Sequence, residues 1–198
     1  MLKKKFKSIF ILICAIFITE KSFSIEPNIF VQSTVNRASQ ILSEDTSKNE
    51  KIDKLKVIAK ETVDIRGIGF YTLGKYRKTL NDVLKNKYSE LFYEYFLKSF
   101  SSRLSEYSNP KIDVQSQEKL NENYTIVSSI LVATETRPEV KIQWRIYTKN
   151  PEKPMIRDLI IEGLSLARTQ KEEFGSIIQS NDGDINALFV SLEKFVNN

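Results

Sequence analysis

The side chains that do most enzyme chemistry are scarce in this chain of 198 residues. It contains no histidine and a single cysteine, Cys14. That composition removes Ser–His–Asp triads, histidine acid–base pairs, histidine metal sites, internal disulfides and cysteine metal clusters. Carboxylates are what remain for acid–base work. Asp64, Asp158 and Glu162 stand nearest to apolar segments and are the candidates. No Ser-x-x-Lys nucleophile pattern stands in a convincing context, and no Gly-rich phosphate loop occurs. Gly67 and Gly69 lack the further glycine and the preceding strand of a dinucleotide fingerprint. The reading is therefore of a protein that binds rather than one that catalyses.

A second group of residues is suited to binding. Tyr88, Phe92, Tyr93, Tyr95, Phe96, Phe100 and Tyr107 recur at helical spacing, joined by Leu84, Leu91, Leu97 and Leu104. They predict a helix from Leu80 to Tyr107, about 27 residues and roughly 40 Å long. Only Lys87, Glu90, Glu94, Lys98 and Ser101 make a polar stripe, so this helix must be covered on several sides. Periodicity alone favours a filled core there. The alternative is an apolar cavity between helix and sheet. Tyr76, Arg77 and Lys78 follow Gly74-Lys75 as a basic, aromatic loop, which is either plainly solvated or a mouth that meets phosphate. Arg103 falls on the aromatic side of the long helix beside Ser99 and Ser102, where it either snorkels to water or meets a polar ligand head.

Helices and strands must position these groups. Pro27 suits the start of a helix carrying Phe30, Val31, Val35, Ala38 and Leu42. Ile52, Leu55, Ile58, Ala59 and Val63 mark a second helix. Asp64 through Gly69 breaks it and begins a short third one, which Gly74 ends. Thr79 with Asp82 resembles a capping box for the long helix. After Asn109-Pro110 the apolar period changes to two. Ile112 and Val114 begin one strand, Tyr124 to Val132 form a second, Val140 to Tyr147 a third and Ile156 to Glu162 a fourth. Short connections make these an antiparallel meander. Ser165 is the N-cap of a helix through Ile178, and Ile185 to Phe195 form a last one. The fold class is α+β: a four-stranded, twisted antiparallel sheet wrapped by helices.

The first 24 residues read as an export signal. Lys3, Lys4, Lys5 and Lys7 precede an apolar run from Ile9 to Ile18, and Ser22-Phe23-Ser24 is a small-x-small site with cleavage after Ser24. The run is well short of the roughly 20 residues of a spanning helix. Cys14 lies inside the run after Ile13, which does not suit a lipid-acceptor cysteine. The reading is one exported domain, residues 25–198. The formal charge of +5 falls mostly on the signal, leaving 25 basic against 24 acidic residues in the domain. That balance lacks the concentrated basic footprint of a nucleic-acid binder.

An ordered set of short motifs adds a resemblance. Phe30-Val31-Gln32, Val63-Asp64-Ile65, Leu73-Gly74-Lys75-Tyr76, Tyr107-Ser108, Gln143-Trp144-Arg145, Glu162-Gly163-Leu164-Ser165-Leu166 and Phe174-Gly175-Ser176-Ile177-Ile178-Gln179 precede Gly183 and Asp184. From about Pro27 to Phe195 the chain resembles MlaC, the toluene-tolerance family of periplasmic phospholipid-binding proteins. It departs from the family at Arg77, where an aromatic is common, and at Pro154-Met155-Ile156-Arg157-Asp158, which lacks the aromatic of a W-x-I-x-D pattern.

The resemblance implies a cystatin/NTF2-like fold, with acyl tails in a deep apolar cavity and the head group near the surface. It implies a shuttle between an outer-membrane lipoprotein complex and an inner-membrane ABC transporter carrying an MCE-domain subunit, which maintains outer-membrane lipid asymmetry. The phospholipid is cargo, and no cofactor is expected. The tail-binding candidates are Leu73, Leu91, Phe92, Tyr95, Phe96, Ile130, Val132, Ile142, Trp144 and Leu166. Tyr76, Arg77 and Arg145 are the head-group candidates. A monomer is the default. A lipid-free periplasmic adaptor, a small NTF2-like enzyme using Asp158 or Glu162, and a hopanoid-like cargo stay open as alternatives.

Overall fold

The computed structural model describes residues 24–198, so the export-signal reading of residues 1–24 lies, except for Ser24, outside the described residues. Three helices open the fold: α1 (Pro27–Ser43), α2 (Lys48–Thr62) and α3 (Ile65–Thr72). Pro27 at the start of α1 gives up an amide that no helix would have used. Ser47 caps α2 by accepting from the Glu50 amide, and Asp64 caps α3 by accepting from the Gly67 amide.

The segment 74–78, expected as a loop, is instead a 3-10 turn. Thr79 Oγ1 donates to the Tyr76 carbonyl and closes that turn, so it is not the cap of the next helix. The cap is Asn81, whose side chain accepts from the Leu84 amide at 2.9 Å. The long helix, α4, accordingly runs Asp82–Leu104, shorter at both ends than its aromatic pattern suggests. Tyr88, Phe92, Leu97 and Ser101 are its buried residues, and α2, α3 and α6 (Ile185–Asn197) are its close neighbours. Gly69 makes the α3 contact possible: a Cβ there would sit 2.7 Å from the Phe92 ring.

The sheet is antiparallel, in the order β1 (Ile112–Asn121), β2 (Tyr124–Leu131), β3 (Val140–Tyr147), β4 (Met155–Ile161) and β5 (Leu164–Ser165). It therefore has five strands rather than four. The fifth is two residues long, too short to leave a period. Its hairpin turns on Glu162 and Gly163 at φ 48° and 83°, the double positive φ of a type I′ loop. β1 extends well past Val114, and residues 115–121 leave no trace in the pattern because they are exposed and, apart from Leu120, polar, a composition without apolar alternation. Val127, Ile142, Trp144 and Ile146 are buried on the inner face with Ser129. Helix α5 (Leu166–Gln179) packs on β4 and α3.

An apolar cavity beside an arginine cleft

Two hollows lie side by side. The first is an apolar cavity of about 230 Å³ between α4, α5 and the β3–β4 part of the sheet. Phe92, Tyr95, Phe96 and Phe100 line it from α4, Leu166 and Ala167 from α5, and Trp144, Ile156 and Leu159 from the sheet. Ser99, Arg103, Thr169, Gln170 and Glu173 add polar atoms to its rim. The walls are braced by ring contacts: Phe92 meets Phe174 edge-on at 6.2 Å, and Phe96 stacks on Phe100 at 5.4 Å.

The polar atoms in these walls are already partnered. Trp144 Nε1 donates to Ser129 Oγ at 2.8 Å, behind the indole. Tyr95 OH donates to Gln170 Oε1 at 2.8 Å, linking α4 to α5. Burial pushes the Tyr95 hydroxyl above its ordinary range, and the nearby Glu173 adds to the rise. Tyr95 therefore stays neutral at physiological pH. An apolar chain could enter without stranding a buried donor, which is the usual cost of such a site.

The second hollow is an open cleft of about 460 Å³. Arg77, Arg145 and Arg157 face it together with Tyr71 and Tyr124. It shares Ile68, Asp158 and Ala167 with the cavity, so these three residues form a septum between them. Asp158 is only 4% exposed. It accepts from Ser165 Oγ (2.6 Å) and from the Ala167 amide (3.0 Å), and Arg145 Nη1 stands 3.5 Å away. Ser165 in turn accepts from the Arg168 amide. Asp158 thus anchors the first turn of α5 to β4. Asp64 is equally engaged: it accepts from the Gly67 amide and pairs with Arg157. Glu162, the third acid candidate, is exposed and accepts from the Lys141 amide. Each of the three carboxylates has a local structural partner.

The sheet explains how Arg157 reaches the cleft. Arg145 pairs with Asp158 across β3–β4, but Ile146 pairs with Ile156, so Arg157 is an extra residue in a β-bulge. A bulge re-aims the side chain it carries. Arg157 Nε and Nη2 meet Asp64 Oδ2 at 2.7 and 2.6 Å, Nη1 donates to Tyr124 OH at 2.8 Å, and the guanidinium lies 3.8 Å from the Tyr147 ring centre. These partners outweigh its partial burial and hold its proton even more firmly than usual. The Asp64 amide donates to the Ile156 carbonyl, which brings the α2–α3 junction alongside β4.

The structure gathers Phe92, Tyr95, Phe96, Trp144 and Leu166 around the cavity. Five other tail candidates lie elsewhere. Leu73 is 1% exposed and packed in the solid core at the end of α3. Leu91 packs against that core one position away from Phe92, about 100° round the helix. Ile142 is buried one inward position further along β3 from Trp144. Ile130 lies on the outer face of the sheet, because its spacing from Val127, the partner of Trp144, is odd. Val132 lies beyond the end of β2. Of the head-group candidates, Arg77 and Arg145 share the cleft, whereas Tyr76 packs against the core. Arg157, absent from the sequence-based candidates, is the most tightly held cation there. The missing family aromatic in Pro154–Asp158 was the one available hint.

Comparison with known proteins agrees with this architecture. The family model described as MlaC protein matches residues 32–194. Among solved structures, the chain is similar to the phospholipid-binding protein from Ralstonia solanacearum in complex with a phospholipid. The TM-score is 0.72 at 15% sequence identity, covering 87% of this chain and 98% of that one. At such low identity the likeness is one of fold.

Proposed function

The chain belongs to the MlaC family, and we propose that it is a lipid carrier that holds phospholipid acyl chains in the cavity under α4 and α5. The observation that carries this reading is the pairing of hollows. A hydrogen-bond-satisfied apolar cavity opens beside a cleft rich in guanidinium groups, which is the polarity pattern of a phospholipid. Phe92, Tyr95, Phe96, Trp144 and Leu166 hold the tails. Arg77 and Arg145 face the phosphate end.

The energetics suit a shuttle. Each buried methylene is worth about 0.8 kcal/mol against water. Two fatty chains together would exceed the practical ceiling on non-covalent affinity. The relevant competitor is therefore a bilayer, which shields the tails equally well, and small biases at donor and acceptor decide the direction of transfer. At about 230 Å³ the cavity is smaller than the roughly 300–1,000 Å³ of common ligand sites. Two chains then enter by parting α4 from α5, which Tyr95, Gln170 and Phe174 join through side chains. Aromatic and aliphatic contacts re-form after such a movement without specific geometry.

In this reading the protein is exported to the periplasm by its cleaved leader. It works between an outer-membrane lipoprotein complex and an inner-membrane ABC transporter with an MCE-domain subunit, and so helps maintain lipid asymmetry. The test is denaturing extraction of the purified mature protein followed by lipid mass spectrometry. Near-stoichiometric phospholipid is expected. A lipid-free protein that still takes up none from vesicles would overturn the carrier.

A further inference from the structure

Holding tails does not require three arginines at the neighbouring cleft. Two of them have carboxylate partners: Arg157 is gripped by Asp64, and Arg145 stands 3.5 Å from Asp158. Arg77 is exposed on the 3-10 turn, and no carboxylate lies within ion-pair distance of it among the described residues. Three guanidinium groups against Asp64 and Asp158 leave one positive charge unbalanced.

The carboxylates have little left to offer a cationic ligand. Asp158 already accepts from Ser165 and the Ala167 amide and faces Arg145. Asp64 accepts from the Gly67 amide and twice from Arg157. A carboxylate has about four acceptor positions, and three are taken on each of these, so an incoming ammonium finds at most one on either. A phosphodiester meets the opposite situation. Arg77 has its donors free, and Arg145 is bound only at the long distance given. Guanidinium forks fit phosphate oxygens well.

We propose that the cleft of Arg77, Arg145 and Arg157 selects cargo whose head group is an anionic phosphodiester with no balancing ammonium group. Arg77 supplies the unpaired charge, Arg145 turns from Asp158 toward the phosphate, and Arg157 is the fixed wall behind them. The proposal rests on the carrier reading, since the tails must occupy the adjoining cavity.

The test exposes the mature protein to vesicles of equal phosphatidylglycerol and phosphatidylethanolamine with matched chains. Bound lipid is then counted by mass spectrometry. Phosphatidylglycerol is expected to be taken up about tenfold in excess at low salt. The excess shrinks as salt rises, as exposed charge interactions do. Arg77→Gln should cut the excess to about threefold or less, at an unchanged melting temperature. Lys78→Gln, a neighbouring cation outside the cleft, should keep the wild-type excess.

Uptake that mirrors the vesicle composition would overturn the selection and leave the carrier intact. Equal losses in both variants would also overturn it, by reducing the effect to general surface charge. No uptake of either lipid would overturn carrier and selection together. A final arm adds inorganic phosphate alone. If it binds wild type and not Arg77→Gln while lipid uptake ignores the head group, the cleft serves a soluble anion and the lipid selection falls.

Discussion

The apolar cavity and the arginine cleft meet at Ile68, Asp158 and Ala167, yet different forces shape them. The cavity is bounded by rings in van der Waals contact, such as Phe96 on Phe100 and Tyr95 against Phe174. Such contacts are individually weak and have no strict direction. The cleft is bounded by directed bonds: Arg157 to Asp64 and Tyr124, and Asp158 to Ser165 and the Ala167 amide. The two walls divide the labour. A wall of rings tolerates chains of varied length and unsaturation, whereas a wall of fixed donors can tell one head group from another.

The largest expected effect breaks the apolar side. Phe96→Glu places a carboxylate on the cavity wall, where desolvating it against a fatty chain is prohibitive. Phe96 is only partly buried, so the variant should still be exported and folded. Its lipid content by mass spectrometry should fall to about a tenth of wild type or lower. Unchanged lipid would place the tails elsewhere.

Next comes the septum. Asp158→Ala strips an acceptor from Ser165 and from the Ala167 amide and leaves Arg145 without its carboxylate. Loss of a buried partner in such an arrangement should cost about 3 kcal/mol, near the low end for broken buried pairs because Arg145 is partly solvated. Differential scanning calorimetry should show a melting temperature lower by roughly 6–10 °C. A shift within a degree would show that α5 is anchored by its apolar face alone.

Gly69→Ala probes the tolerance of the cavity. Its Cβ would lie 2.7 Å from the Phe92 ring, so that ring must move. Overpacking should cost about 1–2 kcal/mol. Because rings repack more easily than hydrogen-bonded charges, this variant should melt above Asp158→Ala and retain part of its lipid. The reverse order would undo the contrast between the two walls.

The smallest effect is on pH. Burial raises the Tyr88 hydroxyl well above its ordinary value of 10.0, despite a bond to Thr72 that opposes the rise. An unfolded chain releases that proton first, so the stabilisation is complete below about pH 10 and is lost as pH rises beyond it. Denaturant midpoints measured from pH 8 to 11 should be flat and then decline. Tyr88→Phe should flatten the decline. A decline that persists unchanged in Tyr88→Phe would assign it to other groups.

The element order could be read from residue patterns because each element writes its own period. Alternation along Val140–Tyr147 reflects one side facing an interior, and aromatic recurrence around α4 reflects a helix covered on several sides. Where an element carries no such contrast it stayed hidden: the exposed half of β1, the two-residue β5, and the bulge at Arg157. The site was legible only to the depth of "interior". Phe92 and Leu91 are neighbours in the chain and equally apolar, but only Phe92 looks into the hollow.

Composition and periodicity are enough to establish that histidine and cysteine-cluster chemistry are absent, that helices precede and follow an antiparallel sheet, and that α4 must be enclosed. Which interior faces touch and which stand apart follows only from the packing of the folded chain. A cavity is the gap left among α4, α5 and β4, with α4 far from the other two along the chain, and no local period encodes a gap. The same holds for the cleft. Arg77, Arg145 and Arg157 come from a turn and two strands, and only the register of the sheet and the packing of α3 bring their charges together.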